Sequence, residues 1–151
     1  MTVIGAFGLA GLVGTIAVRR AGRLHDRGRS LPVTGAAWAL AVAAFVLAAF
    51  AGRSVILVIG VAVLLDGAIH TVNVLNQSRV LTIAHAARSR VNAAMVTSNF
   101  IGGAAGSAAA SGLWAAGGWK AVTAAGTALS CLGLAVWAVG RRGPLAVRRP
   151  R

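Results

Sequence analysis

The chain has 151 residues, of which 58% are hydrophobic and 11% are charged, and its formal net charge is +13. Soluble domains carry about 25% charged residues, so this composition is typical of a membrane protein. The fifteen Lys and Arg residues lie between apolar runs and at the C-terminus rather than along one face, which argues against nucleic-acid binding.

The ionisable residues also argue against an enzyme. Only two carboxylates are present, Asp26 and Asp66, so the acid and base pairs of hydrolases and kinases cannot be assembled. Cys131 is the single cysteine and the three histidines are scattered, so no zinc-binding spacing appears. We expect no enzyme activity, no cofactor and no metal site.

The first apolar run, residues 1–18, is just long enough to cross about 30 Å of hydrocarbon as a helix. A signal peptide is the alternative, but no positive residue precedes the apolar run. A polar loop with five Arg follows, and Pro32 then opens a second predicted helix over residues 32–52. The break after residue 52 is so short that the third predicted helix, residues 54–77, should lie antiparallel to the second.

The third predicted helix is the one apolar segment with ionisable side chains inside it. Asp66, His70, Asn73 and Gln77 are spaced by four, three and four residues, which places them on one narrow face. A carboxylate in hydrocarbon is costly, so this face should turn toward the bundle interior or a water-filled path. The four residues are therefore candidates for transport and proton coupling, with Asp66 as the coupling group and His70 as its switchable neighbour. The alternative is a buried polar cluster that only holds helices together.

A basic loop over residues 78–90 leads to a fourth predicted helix, residues 91–117. Small residues recur there every four positions, which predicts a seam where another helix of the chain packs closely. The row consists of Ala94, Ser98, Gly102, Gly106 and Ala110. Gly117 and Gly118 predict a tight turn before a fifth helix, residues 119–139. Residues 141–151, with five Arg and two Pro, predict a disordered basic tail that anchors the topology or binds anionic headgroups.

The fold class is thus an all-α polytopic membrane protein with five transmembrane helices in residues 1–140. Thirteen of the fifteen basic residues fall on one side of this arrangement, and only Arg53 and Lys120 fall on the other. The positive-inside rule places the C-terminus in the cytoplasm and the N-terminus outside the cell membrane. An odd number of helices with an unflanked first helix suggests a chain that starts in the middle of a longer protein.

Residues 22–29, Gly-Arg-Leu-His-Asp-Arg-Gly-Arg, resemble the cytoplasmic signature of the major facilitator superfamily, Gly-x-Leu-Ala-Asp-Arg-x-Gly-Arg. The positions that carry the motif are Gly22, Arg23, Asp26, Arg27, Gly28 and Arg29. His25 replaces a small residue and one spacer is missing, which fits the weaker copy between helices 8 and 9 of that family. Residues 76–79, 87–92 and 98–107 look like the end of helix 10, its loop and helix 11.

This resemblance implies that the five helices correspond to helices 8 to 12 of a twelve-helix transporter, with the Asp66 face toward the central cavity. It implies proton-coupled efflux of a small molecule that the sequence does not identify. The expected partners are the lipid bilayer, protons, the substrate, and the missing N-terminal helices or another chain. The rival is a non-transporting five-helix membrane protein, a truncated remnant or an assembly partner. A membrane enzyme that uses Asp66 and His70 would lack further catalytic groups.

Overall fold

The computed structural model describes residues 30–52, 54–83 and 87–142 of the chain. These residues form three α-helices, α1 (Ser30–Ala51), α2 (Val55–Ile83) and α3 (Arg88–Gly140). α3 is interrupted at Gly118, whose φ of 61° and ψ of −149° are non-helical. This break divides α3 into segment 88–117 and segment 119–140.

α1 packs between its neighbours through a stripe of small residues. The buried members are Thr34, Gly35, Ala37, Ala41, Ala44, Ala48 and Ala51. Most of them recur three or four positions apart, which places them on one side of the helix. Small side chains let helix backbones approach closely, and both α2 and α3 pack against α1.

Aromatic rings that cover glycines hold segment 119–140 against α1. The three pairs, in order along α1, are Gly35 with Trp137, Trp38 with Gly133, and Phe45 with Gly126. A Cβ at any of the three glycines would overlap the ring opposite. The residue numbers fall along one helix as they rise along the other, so the two helices are antiparallel.

Two indole N–H groups add hydrogen bonds to the backbone of α1, one near each end. Trp137 Nε1 donates to the carbonyl oxygen of Leu31 at 2.8 Å, and Trp119 Nε1 donates to that of Ala48 at 2.6 Å. Ala48 is among the last four residues of α1, whose carbonyls have no partner within the helix. The indole of Trp119 therefore satisfies a carbonyl that hydrocarbon could not.

α2 follows α1 after a short connection and packs along it. The Ser54 hydroxyl accepts a hydrogen bond from the Leu57 amide at 3.4 Å, as an N-cap residue does. The buried stripe of α2 consists of Val61, Ala68, Val72 and Leu75. Val61 packs with Ala44 and Ala48 of α1 in the core. Because the later part of α1 meets the earlier part of α2, the two helices are antiparallel.

The contacts of α3 show that the chain reverses direction at Gly118. Asn92 contacts Gln77 near the end of α2, and Trp137 contacts Leu31 near the start of α1. Those two positions lie at the same end of the antiparallel pair, so both ends of α3 lie there too. We call this the basic end, because five arginines of the described residues cluster at it: Arg79, Arg88, Arg90, Arg141 and Arg142. Gly118 and Lys120 lie at the opposite end.

The helix boundaries differ from the sequence expectation most at the expected loop between α2 and α3. A loop was expected over residues 78–90, but α2 continues to Ile83 and α3 begins at Arg88. No Gly or Pro interrupts α2 after Gln77, and a long arginine side chain such as Arg79 can remain helical while its charge reaches water. The fourth and fifth predicted helices correspond to segments 88–117 and 119–140, and the turn predicted between them lies at the non-helical Gly118.

The described part of the chain is all-helical and contains three helices that are long and apolar enough to cross a membrane. This agrees with a multi-pass membrane protein. The predicted first helix, residues 1–18, lies outside the described residues, as do the loop motif at residues 22–29 and the tail beyond residue 142.

Candidate functional site

The polar face of α2 points away from α1. At 100° per residue, Asp66, His70, Asn73 and Gln77 lie on average about 150° around the helix from the buried stripe of α2. The apolar stripe packs on α1, so the polar residues are left on the opposite side. The four side chains that the sequence singled out thus share one face in the structure.

Asp66 and His70 form a pair on this face. His70 Nε2 lies 3.4 Å from Asp66 Oδ1, which is an ion pair when the imidazole is protonated. The side chain of His70 is 57% exposed and that of Asp66 is 44% exposed. The described residues therefore bring the two groups together without burying them. The predicted bundle interior or water-filled path around them stays a prediction.

The other half of the face contacts segment 88–117 through side-chain amides. Gln77 Nε2 donates to Asn92 Oδ1 at 2.9 Å, and Asn99 Nδ2 donates to Asn73 Oδ1 at 3.3 Å. The reasoning from sequence missed Asn92 and Asn99. Two asparagines seven residues apart on an apolar helix share a face, and that spacing could have marked them as partners of another polar helix.

The two amide bonds also fix which residues lie opposite Asp66 and His70. α2 and segment 88–117 are antiparallel, so continuing their register by one to two turns brings Gly103 and Gly106 level with His70 and Asp66. At 100° per residue, these glycines lie within about 40° of Asn92 around the axis of their helix, so they share its face. A Cβ at Gly103 or Gly106 would have no heavy atom within 4 Å. The Asp66–His70 pair is therefore level with two glycines that no other side chain of the described residues contacts closely.

The predicted packing seam of the fourth helix has no packed partner among the described residues. Ser98, Gly102 and Gly106 are exposed, and Ala110 is only partly covered. A Cβ at Gly102 would meet open space, and the Ser98 hydroxyl bonds within its own helix, to the Ala94 carbonyl at 2.8 Å. Residues 1–29 lie outside the described ranges, so the seam with another helix of this chain stays a prediction.

Metal binding finds no support in the described ranges, where no three His, Cys, Asp or Glu side chains come together. The motif residues Gly22, Arg23, Asp26, Arg27, Gly28 and Arg29 lie outside those ranges. What the arrangement offers chemically is one carboxylate and one imidazole in contact, on the polar face of a predominantly apolar helix.

Comparison with known proteins finds relatives that are named as transporters. The chain is 40% identical over 120 residues to YgaY of Escherichia coli K12 and to "Uncharacterized transporter YgaY" of Escherichia coli O157:H7, covering 79% of this chain and 30% of each relative. It is 35% identical over 135 residues to "Probable transporter SCO4007" of Streptomyces coelicolor, covering 89% of this chain and 31% of that protein. The chain thus spans less than a third of the length of these relatives. No family model matches it, and no solved structure matches it.

Proposed function

We propose that this chain is part of a membrane transporter of the major facilitator superfamily that exports a small molecule in exchange for protons. In this proposal its five helices are the last five of twelve, and the remaining helices complete the cavity. The proposal rests on the resemblance of residues 22–29 and 76–107 to that superfamily. It is supported by relatives that are named as transporters and are roughly three times the length of the matched region.

The observation that carries the proposal is the placement of the Asp66–His70 pair. An ionisable pair on an apolar helix is costly in lipid, and it is found where it serves an ion or substrate path. Here the pair is 3.4 Å apart and faces away from α1, opposite glycines that leave space. A substrate between α2 and segment 88–117 would contact a proton-exchanging pair on one side and bare backbone on the other. Transporters commonly bind their substrates near the midplane between such helices.

The distribution of charge supports an orientation within the proposal. In the described residues five arginines lie at the basic end and Lys120 lies at the other. The positive-inside rule then places the basic end in the cytoplasm, with the N-terminus outside. We propose the cell membrane as the location.

A chimera would test this function. The chain would replace the matching segment of Escherichia coli YgaY, and the purified chimera would be reconstituted in vesicles that contain the pH indicator pyranine. A panel of small organic compounds would then be tested for the ability to dissipate an imposed pH gradient. We expect at least one compound to move protons through the chimera, and Asp66→Asn to abolish that movement without lowering the folded yield. Asp66→Glu keeps an ionisable group and should retain part of the proton movement.

The isolated chain provides the second arm of the test. It should show no compound-dependent proton movement, because its Asp66 face is enclosed on one side only. If Asp66→Asn lowered the folded yield and left the pH dependence of transport unchanged, the residue would be structural. If no compound moved protons through a folded chimera, the assembly-partner alternative would be favoured, in which the exposed face of segment 88–117 binds another chain.

A further inference from the structure

The described residues leave one side of the α1 and α2 pair uncovered. A space of about 310 Å³ lies between the two helices nearer the basic end, and Leu40 and Gly67 are among the residues that line it. A second space of about 560 Å³ lies nearer the opposite end, where Phe50 and Gly60 contribute to its walls. Leu64 lines both spaces.

Both spaces open on the same side of the helix pair. At 100° per residue, the mean directions of their lining residues differ by less than about 40° on α1 and on α2. We call this side of the pair the α1–α2 groove. Its lining residues on α1 lie on average about 180° around that helix from Gly35, Trp38 and Phe45, the residues in contact with segment 119–140. Segment 119–140 therefore lies on the other side of α1.

Segment 88–117 does not cover the groove either. It contacts α2 through Asn73 and Gln77 of the polar face. The lining residues of the groove on α2 lie on average about 130° around that helix from the polar face. Among the described residues, the groove is consequently a surface without a partner.

The surface of the groove has the shape and polarity that a further apolar helix requires. Phe50 and Ile56 are each 83% exposed, and Leu57 is 56% exposed. Between these side chains and the basic end, a Cβ at Gly60 or Gly67 would have no heavy atom within 4 Å. Residues seven positions apart share a face of a helix, so the two glycines bare the backbone of α2 along the groove. Bare backbone lets another transmembrane helix approach closely.

The length of residues 1–18 matches the length of the groove. These residues lie outside the described ranges, and the sequence predicts a transmembrane helix of about 27 Å from them. Along α1 the groove extends from Val33 to Phe50, or about 26 Å. The eleven residues 19–29 join this segment to Ser30 at the basic end. Consecutive elements with a short connection are usually neighbours, which favours a place beside α1.

Residues 1–18 also carry a row of small side chains. Ala6, Ala10 and Gly14 recur every four positions, so they lie on one side of the predicted helix. A helix that ends at the basic end with residue 18 runs antiparallel to α1 and parallel to α2. With residue 18 level with Thr71, Gly14 is level with Gly67.

We propose that residues 1–18 form a transmembrane helix that docks in the α1–α2 groove, with its row of small residues against Gly60 and Gly67. The matching length and the connection at the basic end favour this segment over lipid acyl chains or a second copy of the chain. The predicted seam of segment 88–117 is a different surface and is not part of α1. The inference does not depend on transport, since the groove does not include the Asp66 face.

Chemical cross-linking of the full chain in membranes tests the proposal. Cys131→Ser supplies the cysteine-free background, and a protease site inserted in residues 19–29 allows the two parts to be separated on a gel. In Gly14→Cys with Gly67→Cys, a short bifunctional thiosulfonate should keep the parts together after proteolysis. Ala6→Cys with Gly60→Cys provides a second pair near the other end of the groove.

Gly14→Cys with Gly102→Cys is the matched control and should give no cross-link. Gly102 is exposed, a Cβ there meets no atom within 4 Å, and the amide contacts place it within about one turn of the level of Gly67. A cross-link to Gly102 but not to Gly67 would put the segment on the predicted seam and overturn the proposal. A product of twice the chain mass before proteolysis would identify a second copy as the occupant. Absence of any product in both groove pairs, with folded yield retained, would leave the groove to lipid.

Gly67→Leu gives a measurement that does not need cysteines. Leucine is the better helix former and meets open space among the described residues, so the substitution should not lower stability if only lipid covers the groove. A docked helix would collide with the new side chain. We expect Gly67→Leu to unfold at a lower fraction of sodium dodecyl sulfate than the unaltered chain, and an equal or higher fraction would contradict the docking.

Discussion

The seam between α1 and segment 119–140 makes a sharp prediction about glycine. A Cβ built on Gly133 would lie 2.5, 2.6 and 2.7 Å from three ring atoms of Trp38. Such distances are far below carbon contact distances, so Gly133→Ala must displace the indole or separate the helices. Overpacking of this kind costs about 1–3 kcal/mol.

Gly103→Ala is the matched comparison, because it makes the same substitution in the same helix. Replacing glycine by alanine in a helix interior stabilises it by about 1 kcal/mol or slightly less, and this backbone effect applies to both variants. At Gly103 the new methyl group meets no atom within 4 Å. The free energies of unfolding of the two variants should therefore differ by about 1–3 kcal/mol, with Gly133→Ala the less stable.

The assay is unfolding of the purified chain in mixed micelles of a neutral detergent and increasing sodium dodecyl sulfate, followed by circular dichroism. Gly126→Ala, which would strike the ring of Phe45, should behave like Gly133→Ala. If Gly133→Ala and Gly126→Ala were both as stable as Gly103→Ala, the rings of Trp38 and Phe45 would not pack on these glycines. The antiparallel packing of α1 and segment 119–140 would then have to be revised.

Three further predictions concern the orientation, the amide contacts and the turn. In a cysteine-free background, Ser89→Cys should be shielded from an impermeant thiol reagent in intact cells while Lys120→Cys reacts, and the reverse pattern would overturn the topology. A double-mutant cycle of Asn73→Ala and Asn99→Ala should give a coupling of about 0.6 kcal/mol in unfolding measurements, and no coupling would remove their hydrogen bond. Gly118 has a φ of 61° and a ψ of −149°, a region that only glycine occupies readily. Gly118→Ala should cost about 1–3 kcal/mol of stability, and a neutral effect would contradict the turn geometry.

The spans of the helices could be predicted from sequence because an apolar run bounded by charged residues has one conformation of low free energy in a membrane, the α-helix. α1 begins within two residues of the predicted start, Pro32, and ends one residue before the predicted end, Gly52. The end of α2 was harder to predict, because Ser78 and Arg79 begin a polar, basic stretch that is typical of a loop. Polar side chains at a membrane boundary do not end a helix unless the backbone is also interrupted.

The packing of the helices could be predicted only in part. Periodicity placed Asp66, His70, Asn73 and Gln77 on one face, since that depends on a single helix. It did not identify Gly126 and Gly133 as a close seam with α1, because several stretches of the chain carry small residues at helical spacing; the seam predicted at Gly102 and Gly106 stays a prediction. The side chains of the facing helix determine where two helices pack closely. The rings that fill the space at Gly126 and Gly133 come from residues about ninety positions away along the chain.

The central claim is that the Asp66–His70 face lines a water-accessible path and does not face lipid. The most direct measurement compares His70→Cys with Ile69→Cys in a cysteine-free chimera in membrane vesicles, using a charged thiosulfonate reagent that reacts only in water. Ile69 is the preceding residue, is 41% exposed and lies about 100° around the helix from His70. We predict fast modification at position 70 and slow modification at position 69. Equally slow modification at both positions would mean that the polar face is closed to water, and the proposed path would be contradicted.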